Sequence, residues 1–244
     1  NVFQEKDPFR IDHVRSHAQG GAGFETYEEL AGFNTDDPIK AIQYLDRLGT
    51  DSAYVVNYEV TGIPETFSLT KYGYNREIFQ KVISEMHQYR VQGKDGLDLL
   101  NVDPKLRNFN ALRGLVKNER VEGISMYDPR GRRVDQADSY GLMNTDALGT
   151  QWAVVRTGNT AYDYRENDPN TDENEGVLIA ATHSYLGRNP VPSANALSSV
   201  VVYGEKGNRG IYSVNYDQLG NPDSLATMRY RAPIDLPETF VDDV

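Results

Sequence analysis

The sequence VEGISMYDPRGRRV, residues 121–134, decides the predicted fold of this chain. Ile124 and Met126 alternate with Ser125 and Tyr127, which is the two-residue period of a half-buried β-strand. The Asp-Pro-Arg-Gly that follows supplies a turn, because proline presets φ and glycine accepts the left-handed conformation. A stretch of helical periodicity runs straight into this hairpin, so we expect a sheet to begin here with helices before it.

The composition excludes several classes of function. With 36 acidic and 25 basic residues, the chain carries a net charge of −11, which disfavours nucleic acids and anionic membranes as partners. It has no cysteine, so disulfides, thiolate nucleophiles and cysteine-bound metals are excluded. It begins at Asn1 without a basic and apolar leader, and it has no apolar run near 18 residues. We therefore expect no direct membrane insertion and a soluble chain, either a processed mature protein or a domain cut from something longer.

Three helices are predicted in the N-terminal half of the chain. Asp37 as N-cap and Pro38 at the first helical position begin one helix, and Asp103 with Pro104 repeats this signal at 103–118. Another helix is predicted after Asn75. The apolar stripes are Ile39, Ile42, Leu45 and Leu48 in the first helix, Ile78, Phe79, Val82, Ile83 and Met86 in the second, and Leu106, Phe109, Leu112, Leu115 and Val116 in the third.

Strands dominate from residue 121 onward. The predicted fold class is therefore α+β, with an antiparallel sheet in the C-terminal half and helices from the N-terminal half packed on it. The predicted organisation is a polar, Gly-rich arm at 1–34, one domain at 35–236 that is helix-rich over 35–120 and strand-rich over 121–236, and an acidic tail at 237–244. The predicted strands are 53–60, 66–72, 121–127, 132–136, 151–157, 160–165, 176–185, 197–203, 210–216 and 225–231.

A short pattern, Tyr-x-x-x-Gly, recurs where apolar strands end. We interpret it as an aromatic residue at the last position of a strand, followed by a glycine that closes the turn. The copies are 76 and 13 residues apart, so they do not form a solenoid repeat, and the simplest interpretation is that several hairpins reuse one turn chemistry. Within the strand-rich half from residue 121 onward, the three copies are Tyr127/Gly131, Tyr203/Gly207 and Tyr216/Gly220.

His13 and His17 have the spacing that would put two imidazoles on one face of a helix, as some metal sites require. A metal site needs three or four ligands, and the Gly-rich segment that follows disfavours a helix. A solvated pair of histidines is therefore the favoured interpretation. We predict no metal and no cofactor.

The acidic segment 166–175 partly resembles a calcium-binding loop. Asp168, Asn170 and Asp172 alternate like the first three ligands of such a loop. Glu173, however, stands where the loop requires glycine. A solvated hairpin tip is the favoured interpretation.

The sequence has no catalytic signature. Hydroxyl groups flank a histidine on both sides in Thr182-His183-Ser184, but adjacent strand residues point to opposite faces, so this trio cannot form a relay by itself. The Gly-x-Ser-x-Gly and Gly-x-x-x-x-Gly-Lys motifs are both lacking. We predict no catalytic residues. A hydrolase assembled from distant residues stays open as an alternative, since such a site leaves no local pattern.

Residues 103–203 resemble the extracytoplasmic sensor domains of the PAS and Cache type. The resemblance rests on the helix at 103–118, the strand Gly123–Tyr127, the turn Asp128-Pro129-Arg130-Gly131, the return strand 132–136 and a short helix at Leu142–Leu148. It implies a non-catalytic sensor domain, periplasmic or extracellular, that binds a small molecule reversibly between its sheet and the covering loops. Formation of a homo-oligomer stays open.

The resemblance also implies which residues bind the ligand. Arginine beside tyrosines favours a carboxylate-bearing ligand, through bidentate pairing and stacking. The candidate ligand-binding residues are Trp152, Arg156, Tyr162, Tyr164 and His183.

A structural or assembly protein, such as a virion or cell-surface component, is the main alternative to the sensor. Its support is the Gly-rich arm, the acidic tail Pro237–Val244 and the lack of any site signature. Arms of this kind often become ordered only against neighbouring copies.

Overall fold

A computed structural model of the chain describes residues 2–4, 7–17, 39–59, 61–91, 102–116, 120–144, 151–165, 178–204, 207, 209–228 and 230, with side chains from residue 11 onward except that of His17. The Gly-rich part of the predicted arm, the acidic segment 166–175 and the acidic tail lie outside these residues.

The described residues are almost wholly antiparallel strands, which lie in the sheet in their order along the chain. Helix α1 (Phe109–Leu115) follows a short 3₁₀ turn, Pro104–Leu106, and a second 3₁₀ turn is Pro192–Ala194. None of the helices in this part of the chain is long and apolar enough to cross a membrane. The strands are β1 (Val2–Gln4), β2 (Asp7–His17), β3 (Ile39–Leu45), β4 (Ser52–Tyr58), β5 (Pro64–Asn75), β6 (Gln80–Arg90), β7 (Arg120–Tyr127), β8 (Val134–Asn144), β9 (Trp152–Tyr164), β10 (Ile179–Leu186), β11 (Ala196–Tyr203), β12 (Gly210–Tyr216) and β13 (Pro222–Thr227).

The predicted α+β class is wrong, because the first two predicted helices are strands. The first is β3, where Ile42 and Tyr44 are buried and Lys40 is exposed. Strands on both sides of β3 supply its backbone hydrogen bonds. Its apolar residues satisfy a helical period and a strand period equally well, and pairing with β2 and β4 decides between them.

The second predicted helix is mostly β6. Its side chains alternate between buried and exposed at the C-terminal end, where His87 and Tyr89 are buried and Gln88 and Arg90 are exposed. The apolar stripe predicted for this helix begins in a turn, at Ile78 and Phe79, and continues into the first residues of β6. A helical period that spans two elements is therefore a coincidence of spacing here.

The third predicted helix is shorter than expected. Asp103 caps the 3₁₀ turn, where the Lys105 N–H donates to Asp103 Oδ1 at 2.9 Å. Helix α1 has its own cap, since the Ala111 N–H donates to Asn108 Oδ1 at 3.1 Å. The helix predicted at Leu142–Leu148 is also wrong over its described part, because β8 continues to residue 144.

Most predicted strands are confirmed. Residues 210–216 form β12 with the predicted bounds. The predicted strands 151–157 and 160–165 are one strand, β9. Gly158, between them, does not make a turn: a Cβ there would lie 2.5 Å from the Tyr185 carbonyl oxygen, so glycine permits close approach of β9 and β10.

Five hairpins share one turn, which explains the Tyr-x-x-x-Gly pattern. In each, a glycine with φ between 62° and 81° donates its N–H to the carbonyl oxygen three residues earlier, at 2.8–3.0 Å. The register of the strand pair shifts at the residue just before each turn. The three predicted copies are confirmed; the further turns follow Leu45 with Gly49 and Tyr58 with Gly62.

The chain forms two compact units, Asn1–Tyr74 with Ile83–Glu122 and Asn75–Val82 with Gly123–Val244. The first unit has an apolar core, in which α1 contributes Leu112 and Val116. In the described part of the second unit, no apolar side chain is buried, and the buried polar residues are Asn75, Asp128, Asp138, Asn159 and Thr182.

Two glycine variants test whether the turn depends on the left-handed conformation. No atom lies within 4 Å of a Cβ built on Gly62 or Gly114, so neither substitution creates a clash. Gly62 has φ of 80°, whereas Gly114 lies inside α1. We expect Gly62→Ala to lower the free energy of unfolding by about 1 kcal/mol, because alanine is strained at this φ.

Gly114→Ala serves as the control and should raise the free energy of unfolding by about 0.5–1 kcal/mol, since alanine favours the helix. Urea denaturation measures both changes. Equal effects of the same sign would contradict the role assigned to the turn glycine.

Candidate functional site

A buried arginine, Arg107, organises the candidate site in the first unit. Its side chain is 5% exposed, and its Nη1 donates to Asp12 Oδ1 at 2.7 Å. Nη1 also lies 3.3 Å from the Leu45 carbonyl oxygen, and Nε donates to the Val102 carbonyl oxygen at 3.1 Å. The guanidinium carbon lies 5.2 Å from the ring centre of Tyr44. The buried charge therefore has an anionic partner, carbonyl acceptors and an aromatic face.

Local structure places these groups together. Arg107 directly follows the 3₁₀ turn as its C-cap, and its N–H donates to the Pro104 carbonyl oxygen at 3.3 Å. Val102, which precedes the turn, is 5% exposed and belongs to the apolar core. Strands β2 and β3 supply the other side of the site, because His13 pairs with Tyr44 in their register.

A chain of polar contacts continues from Arg107 toward solvent. His13 Nδ1 lies 2.8 Å from Asp12 Oδ2, and Arg15 Nε donates to His13 Nε2 at 3.2 Å. Because Nε2 accepts a hydrogen bond, we assign the proton of the neutral ring to Nδ1, which then donates to Asp12. The His13 ring centre is 5.4 Å from that of Tyr44.

These residues surround a cavity of about 320 Å³, which is large enough for a small polar ligand. Both acidic and basic side chains line the cavity, so a ligand with both a carboxylate and a hydrogen-bond donor matches it best. The lining residues are Asp12, His13, Arg15, Tyr44, Val102, Asp103, Pro104 and Arg107.

The electrostatics keep Asp12 ionised. Burial raises the pKa of the Asp12 carboxyl, but hydrogen bonds from Arg107 and His13 outweigh burial, and the pKa lies below its ordinary value. Burial raises the pKa of Tyr44. Asp12 is therefore a permanent anion near neutral pH and serves Arg107 as its counter-ion.

The carboxylates that line the cavity have hydrogen-bond partners within the fold. The two carboxylates that line the cavity are both occupied, Asp12 by Arg107 and Asp103 by the Lys105 N–H. An arginine-paired aspartate with a lowered pKa is a poor general acid. Among the described residues, no group of three or more His, Asp or Glu side chains is placed to hold a metal ion.

The residues predicted from the sequence to bind a ligand lie in the second unit, on two faces of the sheet. Tyr140 pairs with Arg156 and Ser139 pairs with Gly158, so Thr157 is an extra residue in β9. This bulge reverses the alternation of side chains along the strand. Trp152, Arg156 and His183 therefore share one face, and Tyr162 and Tyr164 lie on the other.

On the first face, the structure pairs Arg156 with a buried carboxylate. Arg156 Nη2 forms an ion pair with Asp138, whose side chain is 2% exposed, and lies 3.4 Å from the Tyr140 hydroxyl. His183 Nε2 is 2.8 Å from Asp163 Oδ2. Trp152, the single tryptophan of the chain, is 59% exposed. Internal partners thus occupy the charged members of the predicted site.

On the second face, the two tyrosines stack with their ring centres 6.5 Å apart. The Tyr164 hydroxyl donates to the Val134 carbonyl oxygen at 2.6 Å, and the guanidinium of Arg133 lies 4.5 Å from the Tyr164 ring centre. Ser184 Oγ and Thr160 Oγ1 are 3.2 Å apart on this face, away from His183. Ligand binding by the five residues stays a prediction.

His13 and His17 both lie in β2, so they do not share a helical face. His13 pairs with Asp12, and the side chain of His17 is outside the described residues. The sequence interpretation missed Arg107 and Asp12 because 95 positions separate them and neither belongs to a local pattern. Compared with known proteins, the chain matches no family model and no curated protein sequence.

Replacing Asp12 with asparagine tests the buried ion pair. At pH 7, Asp12→Asn should lower the free energy of unfolding by about 2–4 kcal/mol, because Arg107 keeps its charge without a counter-ion. A carboxyl with a lowered pKa stabilises the fold above its unfolded-state pKa, near 4, and loses this effect as the pH falls through its folded-state pKa.

The difference between wild type and Asp12→Asn should therefore be complete at pH 6–7 and shrink below about pH 4. Urea denaturation across this pH range measures it. A difference that is the same at pH 7 and pH 3 would show that charge is not responsible.

Proposed function

We propose that the chain is a structural protein, a module of antiparallel sheet that assembles with copies of itself and catalyses no reaction. This is the structural or assembly class that the sequence left open. The proposal is supported by the repeated hairpins, the incomplete burial of the described part of the second unit and the edge strand β13, which has one partner among the described strands.

The half-exposed sheet of the second unit is the observation that carries the proposal. A sheet normally buries one apolar face against another layer. In β11, Val200, Val201 and Val202 alternate between the two faces, and all three remain only partly buried. Both faces of this strand therefore offer apolar surface that further protein can cover.

Strand β13 offers a second place for assembly. All six of its residues are exposed, and Leu225 is 67% exposed. Among the described strands it pairs with β12 alone. Pro222 and Asp223 protect the start of the strand, whereas residues 224–227 contain neither a charged residue nor proline. The open backbone can pair with a strand of a neighbouring copy.

The shared turn suits a protein whose purpose is sheet extension. Each of the five hairpins with this turn adds one strand beside the last with the same glycine geometry and the same register shift. An extended sheet then needs only repetition of a local unit, since every strand pairs with its neighbour in sequence.

A charge on the β13 edge tests assembly. We expect wild type to self-associate as its concentration rises, and Leu225→Lys to weaken that association by about 10-fold or more, because lysine blocks edge pairing. Light scattering coupled to size exclusion measures the mass. The matched control is Leu48→Lys, at a turn residue that is 58% exposed.

Equal association of Leu225→Lys and wild type would contradict assembly through β13. A wild type that stays monomeric at every accessible concentration would contradict the structural proposal as a whole.

Reversible binding of a small carboxylate-bearing molecule is the second candidate function, and the cavity around Arg107 favours it. Arg15 is exposed at the mouth of this cavity, where its guanidinium can reach a ligand carboxylate. The resemblance to PAS and Cache sensors and the extracytoplasmic location stay predictions under this alternative.

Thermal-shift measurements across amino acids, organic acids and sugars test the second candidate. A ligand present at 100 times its Kd should add about 2.7 kcal/mol of stability. We expect the shift to disappear in Arg15→Gln and to persist in Arg113→Gln, which changes an exposed arginine of α1. A library without any stabilising compound would argue against small-molecule binding.

A further inference from the structure

Two hairpin tips in the second unit lie side by side, and we call residues 75–80 and 128–133 the paired tips. Asn75, which is 8% exposed, links them: its Nδ2 donates to the Pro129 carbonyl oxygen at 2.7 Å. Its Oδ1 accepts the N–H of Glu77 at 2.8 Å. A buried side chain thus holds one turn against the other.

The paired tips concentrate positive charge on an acidic protein. Arg76, Arg130 and Arg132 are all exposed. No ion pair joins Arg76 or Arg130 to another described side chain, and Arg132 Nε lies 3.9 Å from Asp128 Oδ2. Glu77 is the exposed acid among them, and Asp128 is buried. The cluster contrasts with the net charge of −11.

Phe79 stands beside these arginines in an unfavourable conformation. Its φ is 53°, and no other described residue except glycine has a positive φ. A bulky side chain in this region is strained. Phe79 is also 79% exposed, so packing within the fold does not offset the strain. Strained and exposed aromatic residues are typical of binding surfaces.

We propose that the paired tips bind an acidic peptide segment that carries an apolar side chain. The carboxylates of the segment pair with Arg76, Arg130 and Arg132, whose planar guanidinium groups match carboxylates in a two-point geometry. The apolar side chain packs on Phe79. None of the residues of the paired tips belongs to β13 or lines the Arg107 cavity.

The short range of electrostatic attraction in salt solution favours an acidic peptide over an anionic membrane as the partner of the paired tips. At physiological salt, charges are screened over about 8 Å, so a short peptide responds to the arginines at the tips. A membrane is an extended anionic surface and also meets the acidic remainder of the protein. The arginines at the tips therefore attract a short acidic peptide, and the acidic remainder of the protein repels it less than it repels a membrane.

Fluorescence anisotropy with a labelled peptide of repeated Glu-Glu-Phe tests the proposal on the full chain. Binding should weaken as salt rises, and a Lys-Lys-Phe peptide should not bind. Arg130→Glu should reduce the affinity by about 10-fold or more. The matched control is Arg47→Glu, because Arg47 is an exposed arginine in another Asp-x-x-Gly turn of this protein and should leave the affinity unchanged.

Phe79→Gly separates binding from folding. Glycine accepts the φ of 53° without strain, so the variant should keep or raise the Tm of the protein while it loses affinity for the peptide. A lower Tm with unchanged affinity would assign Phe79 to folding and overturn its role in binding.

Two kinds of result would overturn the proposal. With the Glu-Glu-Phe peptide, one is that Arg130→Glu and wild type bind it equally well or that wild type does not bind it at all. The other is tighter binding to vesicles of mixed neutral and anionic phospholipid than to the peptide, which would assign the paired tips to a membrane surface.

Discussion

The left-handed glycine that closes five of the hairpins is the constraint on which the rest of the structure depends. A chain that turns back to pair with itself needs a residue with positive φ, and glycine adopts it without the clash that a Cβ brings. Five turns place glycine there, at positions 49, 62, 131, 207 and 220. Each of these turns joins two strands that are neighbours both in the chain and in the sheet.

The two units use this sheet differently. In the first unit, the segment that contains α1 covers apolar side chains, and Arg107 is buried with Asp12 as its counter-ion. A buried ion pair contributes little net stability compared with apolar packing, but it permits few alternative arrangements of the segment. The second unit buries polar side chains in its described part, including Asp138 with Arg156, and leaves apolar residues partly exposed. The unit whose described part has no buried apolar side chain is the one that carries the edge strand β13 and the paired tips.

Phe79 illustrates how function can oppose local stability. The turn would be less strained with glycine, which the other turns use. An aromatic side chain in this place costs conformational energy and gains no burial, so its contribution is expected from a contact outside the chain. Leu225 on β13 has a similar position, since it is exposed where a charged residue would protect the edge.

The sequence by itself determined the strands of the C-terminal half, the hairpin at 128–133 and the glycine of the shared turn, because each depends on residues close together in the chain. It was misleading for β3 and β6, whose apolar residues fit both periods until neighbouring strands supplied their hydrogen bonds. Only the tertiary structure decided the contact between Asp12 and Arg107, because long-range pairing leaves no local pattern. It also decided that a bulge at Thr157 separates Arg156 from Tyr162 and Tyr164, since one extra residue reverses every side chain beyond it.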